Sequence, residues 1–273
     1  MTSKTTPFRF GLVATARTRD DWLELARRAE DLGFDALLVP DNLDGTAPML
    51  ACAAAAAVTT RLAVGPYVLA TPWRTPGLVA AEAAGLSMLA EGRVEIGLGA
   101  GRPDSRAEAE RLGVPFGSPR HRVQHLEATI AAVRQRVPEA ALTVAASGPR
   151  MLELAGRAAD VVALGASPLA DETELARMGA AVRQAAGDRA DEVVLNLNLT
   201  AVGDTLPPWL AQRLGLTIDA LASAGAAGLL RGSAAEMADT LERRRETIGA
   251  SYFCAGVDNA ERLAPVVARL SGR

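Results

Sequence analysis

Residues 22–39 read WLELARRAEDLGFDALLV, and this stretch contains the pattern that decides the fold. Its first part has apolar side chains at helical spacing, as at Trp22 and Ala29, and Gly33 marks where a helix would stop. The run Ala36–Val39 that follows is apolar throughout, without polar alternation. A strand of this kind is covered on both faces, as are parallel strands flanked by helices. The stretch therefore predicts one helix–strand unit of an α/β fold.

The same order of a predicted helix and then an apolar run recurs along the chain. It is seen at Met151–Ala158 before Val161–Leu164, and at Glu236–Ile248 before Tyr252–Cys254. Eight strands are predicted in this way: Phe8–Ala14, Ala36–Val39, Leu62–Leu69, Val94–Leu98, Leu142–Ala145, Val161–Leu164, Val193–Val202 and Tyr252–Cys254. Because helices separate the strands and no long linker interrupts them, we expect a single (β/α)₈ TIM barrel over residues 1–273. The last strand would close it by pairing with the first.

The composition of the chain argues against several classes of binding partner. Hydrophobic residues make up 49% of the 273 positions, and the formal net charge of −3 comes without a block of like charge. This balance argues against nucleic acid or an anionic membrane as a main partner. The chain starts with a polar segment, and its Ala-rich run 51–58 is too short to span a bilayer. Cys52 and Cys254 look like buried thiols, so we expect a cytoplasmic protein.

The chain has a single lysine, Lys4. Schiff-base chemistry, pyridoxal phosphate and a P-loop each require a lysine in the site, so the sequence argues against these classes. Cationic recognition falls to arginine, which binds carboxylates and phosphates through two parallel hydrogen bonds.

Two Gly-containing turns follow predicted strands, at the barrel end where active sites form. The run Gly97–Gly101 resembles half of a dinucleotide fingerprint. It either packs a strand end tightly or lets a flat ring lie against the backbone. The turn formed by Ser147, Gly148, Pro149 and Arg150 opens a helix. The first N–H groups of that helix would bind a phosphate, and an ordinary turn is the alternative.

Two further features lie at predicted strand ends. Asp41 and Asn42 follow the second strand, where they either face a ligand or form hydrogen bonds within a turn. Pro66 interrupts the third strand and predicts a bulge through Tyr67 and Val68. Such a bulge is either a simple kink or the support of a planar cofactor.

His121 and His125 have the i, i+4 spacing of a helical metal pair. Arg120 and Arg122 flank the first of them, and cations repel a metal ion. No third ligand is evident, so we expect a solvated helix face and no metal site.

Four stretches resemble the bacterial-luciferase-like barrel superfamily. They are residues 25–41 (LARRAEDLGFDALLVPD), 59–101, 146–162 (ASGPRMLELAGRAADVV) and 250–270. Within the superfamily the chain is similar to the branch that uses the deazaflavin coenzyme F420. The resemblance covers the whole chain and implies a luciferase-like barrel that acts on a small-molecule substrate and forms a homodimer.

The resemblance also implies where a cofactor would bind. The bulge in the third strand backs the ring, often through a non-prolyl cis peptide, which here falls near Tyr67–Val68. Residues after the fourth strand line the ring and its ribityl chain, and the turn after the fifth strand grips the phosphate. The candidate cofactor-binding positions are Pro66, Tyr67, Val68, Gly99, Gly101, Arg102, Ser147, Gly148, Pro149 and Arg150. Arg150 or Arg102 either adds a second clamp to the phosphate or is a solvated helix residue.

The chain departs from the family pattern at three places. Relatives usually have an Asp-His pair where this chain has Asp41 and Asn42, and some have an acid where Arg102 stands. An amide cannot exchange protons, so Asn42 cannot be a general acid or base. The stretch between Arg136 and Leu142 is shorter than in relatives, which implies a more open pocket or an acid from elsewhere.

These residues lead to one expected function and two alternatives. We expect an F420-dependent oxidoreductase that transfers a hydride between the deazaflavin C5 and an organic substrate, with Asp41 and Asn42 as candidate catalytic residues. The alternatives are an FMN-dependent luciferase-like monooxygenase and a non-catalytic, flavin- or ligand-binding barrel.

Overall fold

The computed structural model describes residues 6–102, 105–204, 206 and 208–273, and Lys4 lies outside them. The strands are β1 (Arg9–Val13), β2 (Ala36–Val39), β3 (Ala63–Pro66), β4 (Leu69–Ala70), β5 (Glu95–Gly99), β6 (Ala141–Ala146), β7 (Val161–Leu164), β8 (Val194–Leu199), β9 (Ala201–Val202), β10 (Leu229–Leu230) and β11 (Ala250–Gly256). The helices are α1 (Arg19–Asp31), α2 (Pro48–Ala56), α3 (Pro76–Leu89), α4 (Arg106–Arg111), α5 (Pro119–Arg136), α6 (Pro149–Ala158), α7 (Glu172–Ala186), α8 (Pro208–Leu214), α9 (Ile218–Ser223), α10 (Ala234–Thr247) and α11 (Ala260–Leu270).

The strands close into a parallel barrel. Nine of the described strands form one sheet in the order β3-β2-β1-β11-β8-β7-β6-β5-β4. Arg9 of β1 pairs with Tyr252 of β11, so the predicted closure by the last strand is confirmed. At the other edge a parallel bridge joins Val64 to Val94. The sheet therefore has eight positions around the barrel, one of which β3 and β4 share.

Two strands differ in extent from the prediction. The strand expected over Leu62–Leu69 is divided into β3 and β4, because the bulge at Tyr67–Val68 interrupts its pairing. The strand expected over Val193–Val202 leaves the barrel after Leu199. Its last residues form β9, which pairs with β10 in a separate two-stranded sheet. Each of the eight predicted strands has a counterpart in the barrel.

Alternate residues of the strands fill two separate cores. Outward-facing side chains pack under the helices in the main core, for example Phe10, Leu12, Leu37, Ile96, Leu98 and Val144. Inward-facing side chains form a smaller cluster inside the barrel around Ala36, Leu38, Val161, Tyr252 and Cys254. This period of two determines which residues face the barrel axis. In the described part of the chain, none of the helices has the length and apolar character needed to cross a bilayer.

Candidate active site

The carboxyl ends of the strands surround the mouth of the barrel, where small, apolar residues face inward. The bulge between β3 and β4 carries Tyr67, and the other seven barrel positions end in the inward residues Val13, Leu38, Gly99, Ala145, Ala163, Asn198 and Gly256. Apart from Asn198, each of these lacks a polar side chain. A floor of this kind suits an apolar, flat ligand.

The bulge in the third strand packs closely against β5. The peptide bond Tyr67–Val68 is cis, as the resemblance implies. A Cβ on Gly97 would lie 2.2 Å from the Pro66 carbonyl oxygen, and a Cβ on Gly99 would lie 2.8 Å from Val68 Cγ2. Only glycine allows so close an approach at these two positions. Packing against the bulge therefore explains why Gly97 and Gly99 are glycines. That this run also lines a planar ring stays a prediction.

The loop after β5 is held in place by an aromatic and cationic cluster. Gly101 has a φ of +74°, and a Cβ there would lie 3.2 Å from Phe116 Cε2. The Arg122 guanidinium lies 4.4 Å from the centre of the Phe116 ring, and its Nε donates to the Ala100 carbonyl oxygen at 3.1 Å. Burial, and then the charge of Arg106, lower the pKa of Arg122.

Asp41 is enclosed by hydrogen-bond donors. Its Oδ2 accepts from Arg74 Nη1 at 2.6 Å and its Oδ1 from Arg74 Nη2 at 2.9 Å, and the Ala70 N–H donates to Oδ2 at 2.9 Å. The side chain of Asp41 is 3% exposed and that of Arg74 is 18% exposed. This bidentate pair ties the end of β2 to the segment that follows β4.

His125 supports the same segment from α5. Its Nε2 lies 2.8 Å from the Arg74 carbonyl oxygen, so this nitrogen must carry a proton for the hydrogen bond to form. His121 lies one turn earlier and is exposed, with its backbone N–H donating to Ser118 Oγ. Within the described ranges, no group of three His, Cys, Asp or Glu side chains lies close enough together to hold a metal ion.

Asn42 belongs to an exposed turn at the rim of the mouth. Its Oδ1 accepts from the Asp44 N–H at 3.0 Å, and Asp44 pairs with Arg111 of α4 at 2.6 Å. The hydrogen bond from Arg111 and its charge lower the pKa of Asp44. Among the described residues none accepts a hydrogen bond from Asn42 Nδ2. The amide N–H₂ group is thus positioned by the turn without being used in it.

The turn after β6 leads directly into α6. This helix begins at Pro149, with Gly148 as an extended N-cap residue and no side chain bound to the first N–H groups. A Cβ on Gly148 would meet no atom within 4 Å. Ser147 and Arg150 are exposed here, and Arg102 is exposed on the neighbouring loop after β5. The predicted phosphate-binding positions therefore lie together at one side of the mouth.

Beneath the mouth, Tyr67 reaches across the barrel interior. Its hydroxyl donates to Asn196 Oδ1 at 2.5 Å, and Asn196 Nδ2 donates to the Tyr252 carbonyl oxygen and to Cys254 Sγ at 3.3 and 3.1 Å. Burial raises the pKa of Tyr67 well above its ordinary value and that of Cys254 to about 12. Burial therefore favours the protonated form of both groups at neutral pH.

An ion pair lies further down the barrel. Glu95 Oε2 accepts from Arg9 Nη2 at 3.1 Å, and Glu95 Oε1 accepts from Thr143 Oγ1 at 2.9 Å. The Arg9 guanidinium lies 4.4 Å from the centre of the Tyr252 ring. Burial alone would lower the pKa of Arg9, but the charges of Glu95, Tyr252 and Asp35 and the hydrogen bond to Glu95 together outweigh it, so the pKa is raised. The charges inside the barrel are thus paired well below the mouth.

The sequence did not single out Arg74 or Arg122, because nothing in their neighbours indicates a partner 33 or 22 positions away. For Asn196 a signal was present. Asn196 and Asn198 alternate with leucines in the strand VLNLNL, and polar residues at a period of two occupy one face. That face turns out to be the inner one.

The family follows from comparison with known proteins. The model of a family described as luciferase-like monooxygenase matches residues 3–205. The chain belongs to the luciferase-like monooxygenase family. The resemblance stated from the sequence is therefore confirmed at the level of the family.

One curated relative of this luciferase-like protein is the F420-dependent glucose-6-phosphate dehydrogenase of Beutenbergia cavernae. It is 35% identical over 174 residues, which are 51% of this chain and 51% of the relative, so the chain spans about half of that enzyme. Among solved structures, the coenzyme F420 dependent tetrahydromethanopterin reductase of Methanopyrus kandleri has a TM-score of 0.72 at 17% identity, over 96% of this chain and 97% of its own. The oxygenating constituent of 3,6-diketocamphane monooxygenase of Pseudomonas putida, in complex with FMN, has a TM-score of 0.71 at 15% identity, over 96% of each chain. The two structures share the luciferase-like barrel fold.

Proposed function

We propose that this luciferase-like protein is an F420-dependent oxidoreductase that transfers a hydride between the deazaflavin ring and a small organic substrate. The observation that carries the proposal is its likeness over half the chain to an F420-dependent dehydrogenase. Three features of the mouth support it: a small, apolar floor, a helix that begins at its edge, and a bulged strand beside them.

The floor of the mouth fits a planar ring. Val68 lies on β5, where Gly97 and Gly99 leave room for it, and Ala145 stands next to Gly99. These groups are apolar and short, so a flat heterocycle could contact the backbone of the bulge and of β5.

The start of α6 fits a phosphate. Its first N–H groups are not bound by a capping side chain, and the space beside Gly148 is open. Free N–H groups and the positive end of the helix dipole favour an anion. Ser147 and Arg150 adjoin the helix start, and Arg102 follows β5, the strand that pairs with β6, so three polar side chains lie on this side of the mouth.

The residues of the chain would position the reactants, since the bound deazaflavin supplies the carbon that exchanges a hydride. Asp41 acts through Arg74 and the Ala70 N–H to hold the bulge in place. Asn42 offers a hydrogen bond at the rim and cannot exchange a proton. Tyr67 stays protonated beneath the ring site. On this account Asp41 is a positioning residue, and Asn42 a binding one.

An FMN-dependent monooxygenase is the second candidate. The family is described by that activity, and one structural neighbour is a complex with FMN. A helix N-terminus that binds the phosphate of F420 would also bind that of FMN, so direct comparison of the two cofactors is needed.

The phosphate position is tested by Gly148→Glu. The new side chain would block the approach to the backbone and place a negative charge beside the phosphate, so F420 affinity should fall by more than about a hundredfold. Gly77→Glu is a matched control, because Gly77 lies in the first turn of α3 and its Cβ would also meet no atom within 4 Å.

The two variants are titrated with F420, with circular dichroism to show that both fold. Unchanged affinity in Gly148→Glu would mean that the phosphate binds elsewhere. Equal losses in both variants would mean that the effect is not local.

We also propose that two copies of the chain associate through α2 and α3. The nine residues of α2 include no charged side chain, and α3 has only Glu82. Their outer faces expose Leu50, Met88 and Leu89 at 69%, 73% and 59%. Helices that are apolar around their whole circumference are usually covered. Light scattering at micromolar concentration should give the mass of a dimer, and a monomeric mass would contradict this.

A further inference from the structure

One polar side chain interrupts the apolar floor of the mouth. Asn198 is the exposed residue in β8, two positions after the buried Asn196, and both lie on the inner face of the strand. The last inward residues of the other described barrel strands are glycine, alanine, valine or leucine. A ligand in the mouth would meet its main side-chain hydrogen-bonding group at Asn198.

A hydrogen bond from Tyr67 joins the strand that carries Asn198 to the opposite side of the barrel. In the sheet order, β8 lies four positions from β3 and four from β4, so the two strands stand opposite each other across the barrel. The Tyr67 hydroxyl donates to Asn196 Oδ1 at 2.5 Å, and Asn196 lies two positions before Asn198 on the same face of β8. The Tyr67 side chain therefore spans the barrel interior and is anchored on β8 just below Asn198.

Asn198 faces the side of the mouth where the cofactor would bind. The proposed ring positions follow β4 and β5, four and three positions from β8 in the sheet order, and the proposed phosphate position follows β6, two positions from it. Asn198 lies near the end of β8, across the mouth from the ring positions. A substrate between the cofactor and this wall would contact Asn198. The argument rests on the proposed function for the placement of the cofactor.

The chemistry of this wall favours a neutral oxygen. A carboxamide has two N–H donors and an acceptor, and it carries no charge. The interior charges of Arg9 and Glu95 are paired with each other below the mouth. A carboxylate or phosphate held by the Asn198 carboxamide would exchange its hydration for neutral hydrogen bonds, which is costly for a charged group.

We propose that Asn198 determines specificity by hydrogen bonding to a neutral oxygen of the substrate, a carbonyl or a hydroxyl. Tyr67 and Asn196 act as positioning residues, because their hydrogen bonds hold β8 in place directly below Asn198. The substrate class is then a ketone, an aldehyde or an alcohol with an apolar body.

The test measures probe binding to the F420-loaded protein by NMR titration. The probes are cyclohexanone, cyclohexanol and cyclohexanecarboxylate, which share the same apolar ring. The ketone and alcohol should shift the side-chain amide resonance of Asn198, assigned by its loss in Asn198→Leu, and the carboxylate should bind at least about tenfold more weakly. Asn198→Leu should weaken ketone binding by about tenfold, the effect of losing one hydrogen bond.

Two control variants distinguish direct contact between Asn198 and the substrate from a purely structural role of Asn198. Asn198→Gln keeps the carboxamide and should recover part of the affinity, whereas a purely structural role would not be rescued. Gln124→Leu removes a carboxamide from the exposed face of α5 and should change nothing.

Equal ketone affinity in wild type and Asn198→Leu, preference for the carboxylate, or no binding of the ketone and alcohol would each overturn the proposal. F420 affinity should stay within about twofold in Asn198→Leu, because the proposed ring positions follow β4 and β5, four and three positions from β8 in the sheet order. If the wild type does not bind F420, the proposed function fails, and the same titration without cofactor still tests Asn198.

Discussion

Replacing Asp41 by Asn removes the charge of a carboxylate that is 3% exposed and accepts three hydrogen bonds. The variant has the same shape and keeps one acceptor oxygen for the Ala70 N–H. It cannot accept from both nitrogens of Arg74, and its own N–H₂ group would face that guanidinium. The bidentate pair is therefore broken without a change in volume.

The loss of stability follows from the burial of the two partners. Breaking a buried ion pair by removing one partner costs about 3–5 kcal/mol. Arg74 is 18% exposed, so water can partly solvate the guanidinium that is left. We expect Asp41→Asn to lower the free energy of unfolding by about 2–3 kcal/mol. Arg74→Gln should cost a similar amount, and the double variant should cost less than the sum of the two.

Urea unfolding of the two single variants and the double variant measures these terms, and F420 titration is run on each. Asp44→Asn is a matched control, because its pair with Arg111 is exposed, and it should unfold like the wild type. Both single variants should bind F420 more weakly, since either one frees the segment after β4. If Asp41→Asn is as stable as the wild type but inactive, while Arg74→Gln stays active, Asp41 acts on the ligand and not through Arg74.

Two further predictions concern parts of the fold away from the mouth. The Glu30 carboxylate accepts from the backbone N–H groups of residues 60–62; burial raises its pKa, but these donors outweigh burial and the pKa lies below the ordinary 4.5. The contribution of Glu30 to stability is complete above pH 4.5 and is lost as the pH falls through the lower pKa of the folded state. Glu30→Gln should therefore flatten the acid side of a profile of urea midpoints measured from about pH 3 to about pH 7. An unchanged slope would contradict this. Met88→Glu places a charge in the exposed apolar face of α3 and should convert a dimer to a monomer in light scattering, whereas Leu214→Glu should leave the mass unchanged.

Local patterns predicted the frame of the barrel and part of its mouth. Period and hydrophobicity placed each barrel strand, and the pairing of β11 with β1 follows from the repeat. Pro66 marked the bulge, and Gly148 before Pro149 marked the start of α6. In each case the residues that determine the structure are neighbours in the chain.

The sequence did not predict which side chains pair over long distances along the chain. Arg74 meets Asp41 33 positions earlier, and Tyr67 meets Asn196 129 positions later. Which arginine of the chain pairs with a given carboxylate depends on the register of packed strands, and one residue of slippage reverses every inward position. The division of the predicted strand Val193–Val202 into β8 and β9 could not be predicted either, because Leu199 and Val202 are both apolar and both buried.

The choice of cofactor is the central claim, and a parallel titration of the purified protein with F420 and with FMN tests it most directly. Quenching of cofactor fluorescence gives both dissociation constants under one set of conditions. The account predicts that F420 binds at least about tenfold more tightly than FMN, a difference of about 1.4 kcal/mol. Equal affinities, or binding of FMN alone, would contradict it.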